Sequence, residues 1–230
     1  MIQIQSRDRA MLRICYEQQF LTMPHIREFY PNNKSGKEAI RRAGALAKSG
    51  FWYKAPSPLN PKELIYRVTS RGKDIAQAEG APKINGLKTL SMATLLHDGL
   101  VTAVRLRLGS IWNARFVCER AIKEGDYPQI PDGLFFFPSG LGIALEVENS
   151  EKGKTRFIEL ANRWAATPSV FAVLYVAKDQ DLANTLKKFV GQASPTKPLG
   201  VVDWTSLRYG WPTVWTIRGE LDWFQRREFP

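Results

Sequence analysis

The chain has 230 residues, of which 44% are hydrophobic, and its formal net charge is +11 at pH 7. This length fits one large domain or two small ones, and the hydrophobic content excludes a chain that is disordered throughout. The apolar runs are too short to cross a bilayer, and the N-terminal stretch lacks the apolar core of a signal peptide. We therefore expect a cytoplasmic protein with no membrane partner.

The positive charge is concentrated in the first part of the chain. Residues 1–90 hold 16 Lys and Arg against 7 Asp and Glu, whereas residues 91–230 hold 17 against 15. A basic module beside a nearly neutral one indicates that the first module binds a polyanion, which for a cytoplasmic protein is usually nucleic acid. The alternative at this point is a solvated basic surface that has no partner.

Three short helices are predicted at the start of the chain. The first lies in "SRDRAMLRICYEQQFLT", with Ser6 as its N-cap. The second follows in "TMPHIREFYP", where Thr22 is a cap and Pro24 suits the first turn. The third lies in "NNKSGKEAIRRAGALAKSG", where Ser35 and Glu38 have the spacing of a capping box. The apolar faces predicted for the first and third helices consist of Met11, Leu12, Cys15 and Tyr16 and of Ala39, Ala43, Leu46 and Ala47.

A β-hairpin is predicted next, because "FWYKA" and "LIYRVTSRG" favour strands and the turn "PSPLNPKE" separates them. Three helices and a hairpin are the layout of a winged helix-turn-helix, and "RRAGALAKSGFWYK" with "LIYRVTSRGKDIAQ" resembles the recognition helix, wing and following helix of bacterial winged-helix proteins. The resemblance implies that the third helix enters the major groove of double-stranded DNA and that the wing touches its backbone. An alternative use of such a module is contact with another protein. The DNA-binding residues implied are Lys34, Lys37, Arg41, Arg42, Lys48, Lys54, Lys62 and Arg67.

A domain boundary is predicted in "AEGAPKINGLKTLS", which is rich in Gly, Pro and Lys. The first domain would then cover residues 1–80, a linker residues 81–90 and the second domain residues 91–230. The second domain begins with a helix in "SMATLLHDGLVTAVRLRLG". It continues with "ARFVCERAI", a strand or strand-to-loop segment that ends near Glu119, and with strands in "DGLFFF" and "LGIALEVE" as a hairpin. A helix, the apolar central strand "SVFAVLYVA", another helix and the strand "PLGVVDW" follow. The tail "TVWTIRGELDWF" is expected to form a hairpin or a strand and a helix.

Acidic residues gather at two strand ends of this second domain. Asp132 opens the "DGLFFF" strand, and Glu146 and Glu148 end "LGIALEVE" on the same side of that strand. The order α-β-β-β-α-β-α-β with these acids resembles the PD-(D/E)XK restriction-endonuclease-like fold over residues 90–205. The expected fold class is therefore mixed α/β: a winged helix followed by a nuclease-like domain with a central mixed sheet. The resemblance implies that Asp132 and Glu146 hold a divalent metal such as Mg²⁺, with Glu119 as a further acid.

The lysine of that family's motif is displaced in this chain. The family pattern has a lysine two residues after the second acid, where this chain has Glu148. The catalytic set implied by the resemblance is Asp132, Glu146 and Glu148, with Lys152 or Lys154 as a migrated lysine. Three interpretations stay open: a working endonuclease, a nuclease-like fold that does not cut, and acids that only form turns and salt bridges. Carboxylates this close repel one another unless a cation or a proton intervenes.

The chain as a whole resembles the replication-relaxation and mobilisation accessory proteins of bacterial plasmids and integrative elements. The stretches that carry the resemblance are "SRDRAMLRICYEQQFLTMPHI", the hairpin, "PDG" and "LEVENSEKGKTRFIELANRW", within residues 6–177. It implies sequence-specific binding at an origin of transfer or replication, beside a separate relaxase or replication initiator. The alternatives are a metal-dependent DNA endonuclease and a transcriptional regulator. With two histidines and no phosphate-cradling Gly loop, the chain is not expected to be the relaxase. The oligomeric state stays open, a homodimer included.

Overall fold

The computed structural model describes residues 2–84, 90–122, 127, 129–165, 167–193, 197–210 and 212–224. Half of the predicted linker, residues 85–89, therefore lies outside the described residues. The chain divides into two compact units, Met1–Thr102 and Ala103–Pro230. None of the helices that the structure describes is both long and apolar enough to cross a membrane.

The chain combines helices with two sheets, so it has a mixed α/β fold, as predicted. In chain order they are α1 Ser6–Glu17, β1 Leu21–Thr22, α2 Met23–Glu28, α3 Lys37–Lys48, β2 Trp52–Pro56, β3 Leu64–Val68, α4 Ser70–Ala78, α5 Met92–Gly109, β4 Arg115–Cys118, β5 Gly133–Phe136, β6 Gly142–Glu148, α6 Lys154–Ala165, β7 Val170–Ala177, α7 Gln180–Ala193, β8 Leu199–Asp203, α8 Trp204–Tyr209, β9 Val214–Thr216 and β10 Gly219–Leu221.

The first unit packs its helices around a small antiparallel sheet, which within the described residues has the strand order β1-β3-β2. The predicted hairpin is confirmed, with Trp52 opposite Val68. The four apolar residues predicted for α1 are all buried. Two hydrogen bonds tie helices to the sheet: Trp52 Nε1 donates to the carbonyl of Ala43 at 2.9 Å, and Cys15 Sγ donates to the carbonyl of Tyr66 at 3.2 Å.

The helix caps agree only in part with the prediction. Thr22 caps α2 as expected, but the cap of α1 is Gln5 instead of Ser6, and the cap of α3 is Gly36 instead of Ser35. Asp8 explains the first difference, because its carboxylate accepts the Gln5 backbone N–H at 2.8 Å and closes the first turn one residue earlier. Gly36 has a φ of 66°, a left-handed conformation that glycine adopts without strain.

Helix α5 contains the division between the units, so that division lies later in the chain than the predicted linker. The first half of α5 belongs to the first unit. Leu95 packs with Phe20 and Ile65, and the Gly99 carbonyl accepts a hydrogen bond from His25 Nε2 at 3.0 Å. Helical periodicity locates a helix in the sequence, but it does not say against which core each turn of the helix packs.

The second unit is built on a mixed sheet whose strand order, within the described residues, is β10-β9-β8-β7-β6-β5-β4. Strands β6, β7 and β8 run parallel to one another, and the other neighbours are antiparallel. The prediction of β7 as the central strand is confirmed, because only Phe171 of its eight residues is not fully buried. Phe157 and Trp164 of α6 and Leu186 of α7 pack against one face of the sheet.

The tail of the chain completes the second unit. The predicted hairpin forms as β9 and β10, whereas α8 has no counterpart in the prediction. Asp203 starts α8 by accepting the backbone N–H of Ser206 at 2.8 Å. Trp223 and Phe224 are buried, and the Trp112 indole donates to the Trp223 carbonyl at 3.2 Å. These tail tryptophan and phenylalanine side chains therefore serve packing.

Candidate functional site

One side of α3 carries exposed cations. Lys37, Arg41 and Lys48 are exposed and recur at spacings of four and seven residues, which place them on the same side of the helix. None of the three makes an ion pair or a side-chain hydrogen bond within the described part of the chain. The opposite side of the helix is buried through Ala39, Ala43 and Leu46. Helix α3 is therefore held from one side and presents positive charge on the other.

The hairpin and the segment before α3 contribute three more exposed cations that have no ion pair. Lys34 precedes α3, Lys54 lies on β2, and Lys62 lies between β2 and β3; all are exposed and make no ion pair with described residues. Arg67 of β3 differs, because it is half-buried opposite Tyr53. We name the six exposed residues the unpaired cations; they are Lys34, Lys37, Arg41, Lys48, Lys54 and Lys62.

Arg42 is placed quite differently from its neighbour Arg41. Its guanidinium donates to both carboxylate oxygens of Asp8, one of them at 2.8 Å, and to the Gln3 carbonyl at 2.6 Å. Asp8 is completely buried, so it depends on this partner for compensation of its charge. Arg42 thus joins α3 to α1, and we leave it out of the set proposed to contact DNA.

The arginines of α1 are also paired within the first unit. Arg9 lies 3.1 Å from Glu79, Arg13 lies 2.9 Å from Glu17, and Arg7 lies 3.6 Å from Glu38. Arg7 also stacks over the ring of Tyr30, with 4.4 Å between the guanidinium carbon and the ring centroid. The arginines of α1 are thus paired, whereas the unpaired cations lie on α3, just before it and on the hairpin. Arg27, Lys73 and Lys83 of the same unit are exposed as well and make no ion pair with described residues.

In the second unit, the acids from neighbouring strand ends come together as predicted. Asp132 stands directly before β5, and its Oδ2 accepts the backbone N–H of Val147 on β6 at 2.6 Å. Val147 lies between Glu146 and Glu148, both of which are buried. The antiparallel pairing of β5 with β6 causes this meeting, because it puts the start of one strand beside the end of the other.

Glu146 is held by neutral donors. Its Oε1 accepts hydrogen bonds from Gln129 Nε2 at 2.7 Å and from the indole of Trp164 at 3.2 Å. Burial raises the pKa of this carboxyl well above its ordinary value, and the nearby negative charge of Asp132 raises it further. Lys152 acts in the opposite direction. A carboxyl in this state gains from any cation that enters beside it.

Glu148 has a cationic partner, unlike Glu146. Lys152 Nζ donates to Glu148 Oε1 at 2.6 Å, so of the two lysines considered as migrated, Lys152 is the one that reaches the acids. Lys154 is exposed at the start of α6 and makes no contact with them in the described structure. Glu119 is exposed in the short turn that follows β4, and β4 is the strand that pairs with β5.

Sequence reasoning missed Gln129 and Tyr175 as members of this site. Tyr175 lies opposite Glu146 in the β6–β7 pairing, and its buried hydroxyl has no hydrogen-bond partner among the described residues. Burial and then the charges of Glu146 and Glu148 raise the pKa of this hydroxyl well above its ordinary value. The available signal was one residue with a polar tip in an otherwise entirely apolar strand.

Among the described residues, no three His, Cys, Asp or Glu side chains are grouped so that they could hold one metal ion. The acidic site therefore consists of Asp132 and Glu146, with Glu148 bound by Lys152 beside them. No protein-family model, curated protein or solved structure matches the chain.

Proposed function

We propose that this protein binds double-stranded DNA through the first unit and acts as an accessory factor at an origin of transfer or replication, beside a separate relaxase or initiator. The observation that carries the DNA-binding part is the set of six unpaired cations on α3, before it and on the hairpin. The three arginines of α1 and Arg42 are held in ion pairs, whereas these six are available to an external polyanion.

The order of elements supports a winged helix as the finer description of the first unit. Helix α3 follows a short helix, a hairpin comes next, and the small sheet is completed by β1. In a winged helix the counterpart of α3 enters the major groove and the hairpin reaches the sugar-phosphate backbone. The side of α3 away from its buried alanines is the side that bears the unpaired cations, as this docking mode requires.

Salt dependence of duplex binding tests the proposal. We expect the affinity of the wild-type protein for a short mixed-sequence duplex to fall steeply with salt. The double variant Lys37→Ala/Arg41→Ala should lower the log–log slope by about 0.9 for each phosphate that the protein no longer neutralises. The double variant Arg7→Ala/Arg9→Ala is the matched control: it removes the same charge from paired positions and should leave the slope nearly unchanged. Equal slopes for wild type and the α3 variant would refute the proposed interface.

The role at an origin needs a separate experiment, since duplex binding is also expected of a transcriptional regulator. Footprinting across a plasmid that carries a transfer or replication origin should show protection at that origin. Protection confined to promoters would instead favour the regulator. The proposed role as an accessory factor also predicts that the protein increases the nicking of supercoiled plasmid by the plasmid's own relaxase.

A metal-dependent endonuclease is the second candidate, favoured by the meeting of Asp132, Glu146 and Lys152 at one end of the sheet. The residues present fit Mg²⁺, because it is commonly held by one or two carboxylates and keeps several waters. Asp132 and Glu146 would hold the ion, which in such sites activates water and neutralises phosphate charge. Lys152, which contacts Glu148 beside them, would supply positive charge at the site.

Two measurements decide between cutting and binding. Supercoiled plasmid incubated with protein and Mg²⁺ or Mn²⁺ should stay intact if the protein is only an accessory factor. Nicking that disappears in Asp132→Ala and Glu146→Gln would establish the endonuclease. Independently of activity, Mg²⁺ should raise the thermal midpoint of the wild type at pH 8 more than that of Glu146→Gln if the acids hold the ion. Equal shifts would exclude ion binding at Glu146.

A further inference from the structure

The outward side of α3 has an uncharged strip beside its cations. Projected at 3.6 residues per turn, Ile40, Gly44, Lys37, Lys48 and Arg41 follow one another around the helix within an arc of about 100°. Ile40 is 50% exposed although it is a large apolar residue in a helix with a complete buried face of its own. Gly44 follows it one turn later. Three cations therefore border a patch made of one methyl-rich side chain and one residue without a side chain.

No contact with the described part of the protein requires a glycine at position 44. A Cβ atom built at this position would have no described atom within 4 Å, and the residue has ordinary helical backbone. Gly72 shows the contrast, because its Cβ would lie 2.0 Å from the carbonyl oxygen of Phe51. Glycine in the middle of a helix lowers stability relative to alanine. The missing Cβ at Gly44 gives room on the outside of the helix, which is where a partner would approach.

We infer that Ile40 and Gly44 are the base-reading patch of α3, with Ile40 contacting the 5-methyl groups of thymines and Gly44 letting the helix approach the bases closely. This inference rests on the proposed DNA binding of the first unit. The major groove is the place where each A·T pair displays a methyl group, and an apolar side chain is the partner that distinguishes this methyl group. The lysines and the arginine beside the patch then position the helix on phosphates.

The experiment removes the methyl groups without changing the base pairing. A duplex selected from a random pool by its binding to the wild-type protein is made twice, once with thymine and once with uracil at the protected positions. We expect the wild type to bind the uracil duplex about fourfold more weakly per contacted methyl group. Ile40→Ala should lose most of this preference, because only the Cβ methyl group of the side chain remains. Leu96→Ala is the control, because Leu96 is an exposed leucine on another helix of the same unit and should keep the preference for thymine.

The role of Gly44 in the close approach to the bases is tested in the same assay. Gly44→Ala should bind the thymine duplex at least tenfold more weakly, while its thermal midpoint is equal to or above that of the wild type. Gly191→Ala is the matched control: its Cβ would also have no described atom within 4 Å, but it lies on α7. Affinity should be unchanged in this control.

The outcomes separate this inference from the proposed function. If the wild type binds both duplexes equally, or if Ile40→Ala keeps the preference for thymine, the base-reading role is overturned while DNA binding stands. A selected site without thymine at the protected positions would overturn it as well. If no duplex is bound in a salt-dependent manner, the proposed function fails and the inference fails with it.

Discussion

The buried carboxylates of the first unit differ from Glu146 of the second unit in their partners. In the first unit, Asp8 and Glu17 are both buried, and each contacts an arginine, Arg42 and Arg13. In the second unit, Glu146 is just as deeply buried, but its hydrogen bonds come from an amide and an indole, and its pKa is raised. A buried carboxylate that is paired with a cation contributes to a stable fold. A buried carboxylate that has only neutral donors lowers stability and is more often found at functional sites. The acidic site of the second unit is therefore the better candidate for binding an external cation.

The largest effect is expected when the compensation in the first unit is removed. Arg42→Ala leaves the carboxylate of Asp8 buried without its guanidinium partner. Loss of one member of a buried ion pair costs about 3–5 kcal/mol in the free energy of unfolding. Urea denaturation followed by circular dichroism would measure this loss.

The neighbouring arginine supplies the control for this prediction. Arg41→Ala removes an exposed, unpaired cation and should change the free energy of unfolding by less than about 0.5 kcal/mol. If both alanine variants were as stable as the wild type, the structural role given to Arg42 would be wrong. If both were strongly destabilised, the assignment of Arg41 to the exposed side of α3 would be wrong.

His25 is another buried titratable group of the first unit, and its surroundings favour the neutral form. Its Nε2 donates to the Gly99 carbonyl, Nδ1 accepts the Thr22 backbone N–H at 3.2 Å, and burial lowers its pKa to about 4. An unfolded histidine has a pKa near 6.5, so the unfolded state binds the extra proton first. The contribution of His25 to the free energy of unfolding is therefore complete above about pH 6.5. It decreases as the pH drops to 4, by roughly 3 kcal/mol in total.

This loss is measured as the difference between wild type and His25→Gln in denaturation curves at pH 7 and pH 4.5. Glutamine does not titrate in this range, so the variant should lose less stability on acidification than the wild type. An equal loss in both proteins would mean that other groups cause the acid sensitivity of the first unit.

A smaller effect of opposite pH dependence is expected at Glu146. Its pKa is raised on folding, so the native state keeps a proton that the unfolded state has released, and stability falls as the pH rises above about 4.5. Glu146→Gln cannot ionise and should be more stable than the wild type by about 1–2 kcal/mol at pH 8, with a smaller difference at pH 5. Denaturation at the two pH values measures this.

Glu148→Gln is the matched control for this change. It removes a carboxylate of the same site that is bound to Lys152 at 2.6 Å, so it should not stabilise the protein at pH 8. Stabilisation of equal size in both variants would show that the whole acidic cluster, and not Glu146 in particular, is under electrostatic stress.

Local sequence patterns were sufficient for most of the elements. The apolar spacing in α1, the β-rich pair of segments around "PSPLNPKE" and the all-apolar β7 each predicted the element that is present. The meeting of Asp132 with Glu146 also followed from pattern, because a hairpin brings its two ends together. Caps were less predictable: Gly36 replaced Ser35 because the backbone before α3 takes a left-handed turn. The short helix α8 begins at an Asp cap and has no long apolar period from which to predict it.

What the sequence determined by itself is the mixed α/β class, the order of most elements, the basic character of the first part and the clustering of acids at one hairpin. These depend on residue type and on contacts between positions close in the chain. Tertiary structure alone decided that Arg42 is paired while Arg41 is exposed, that Lys152 and not Lys154 reaches the acids, and that Tyr175 faces Glu146. Each of these depends on which distant segment packs against a given side chain, and on the burial that sets its electrostatics.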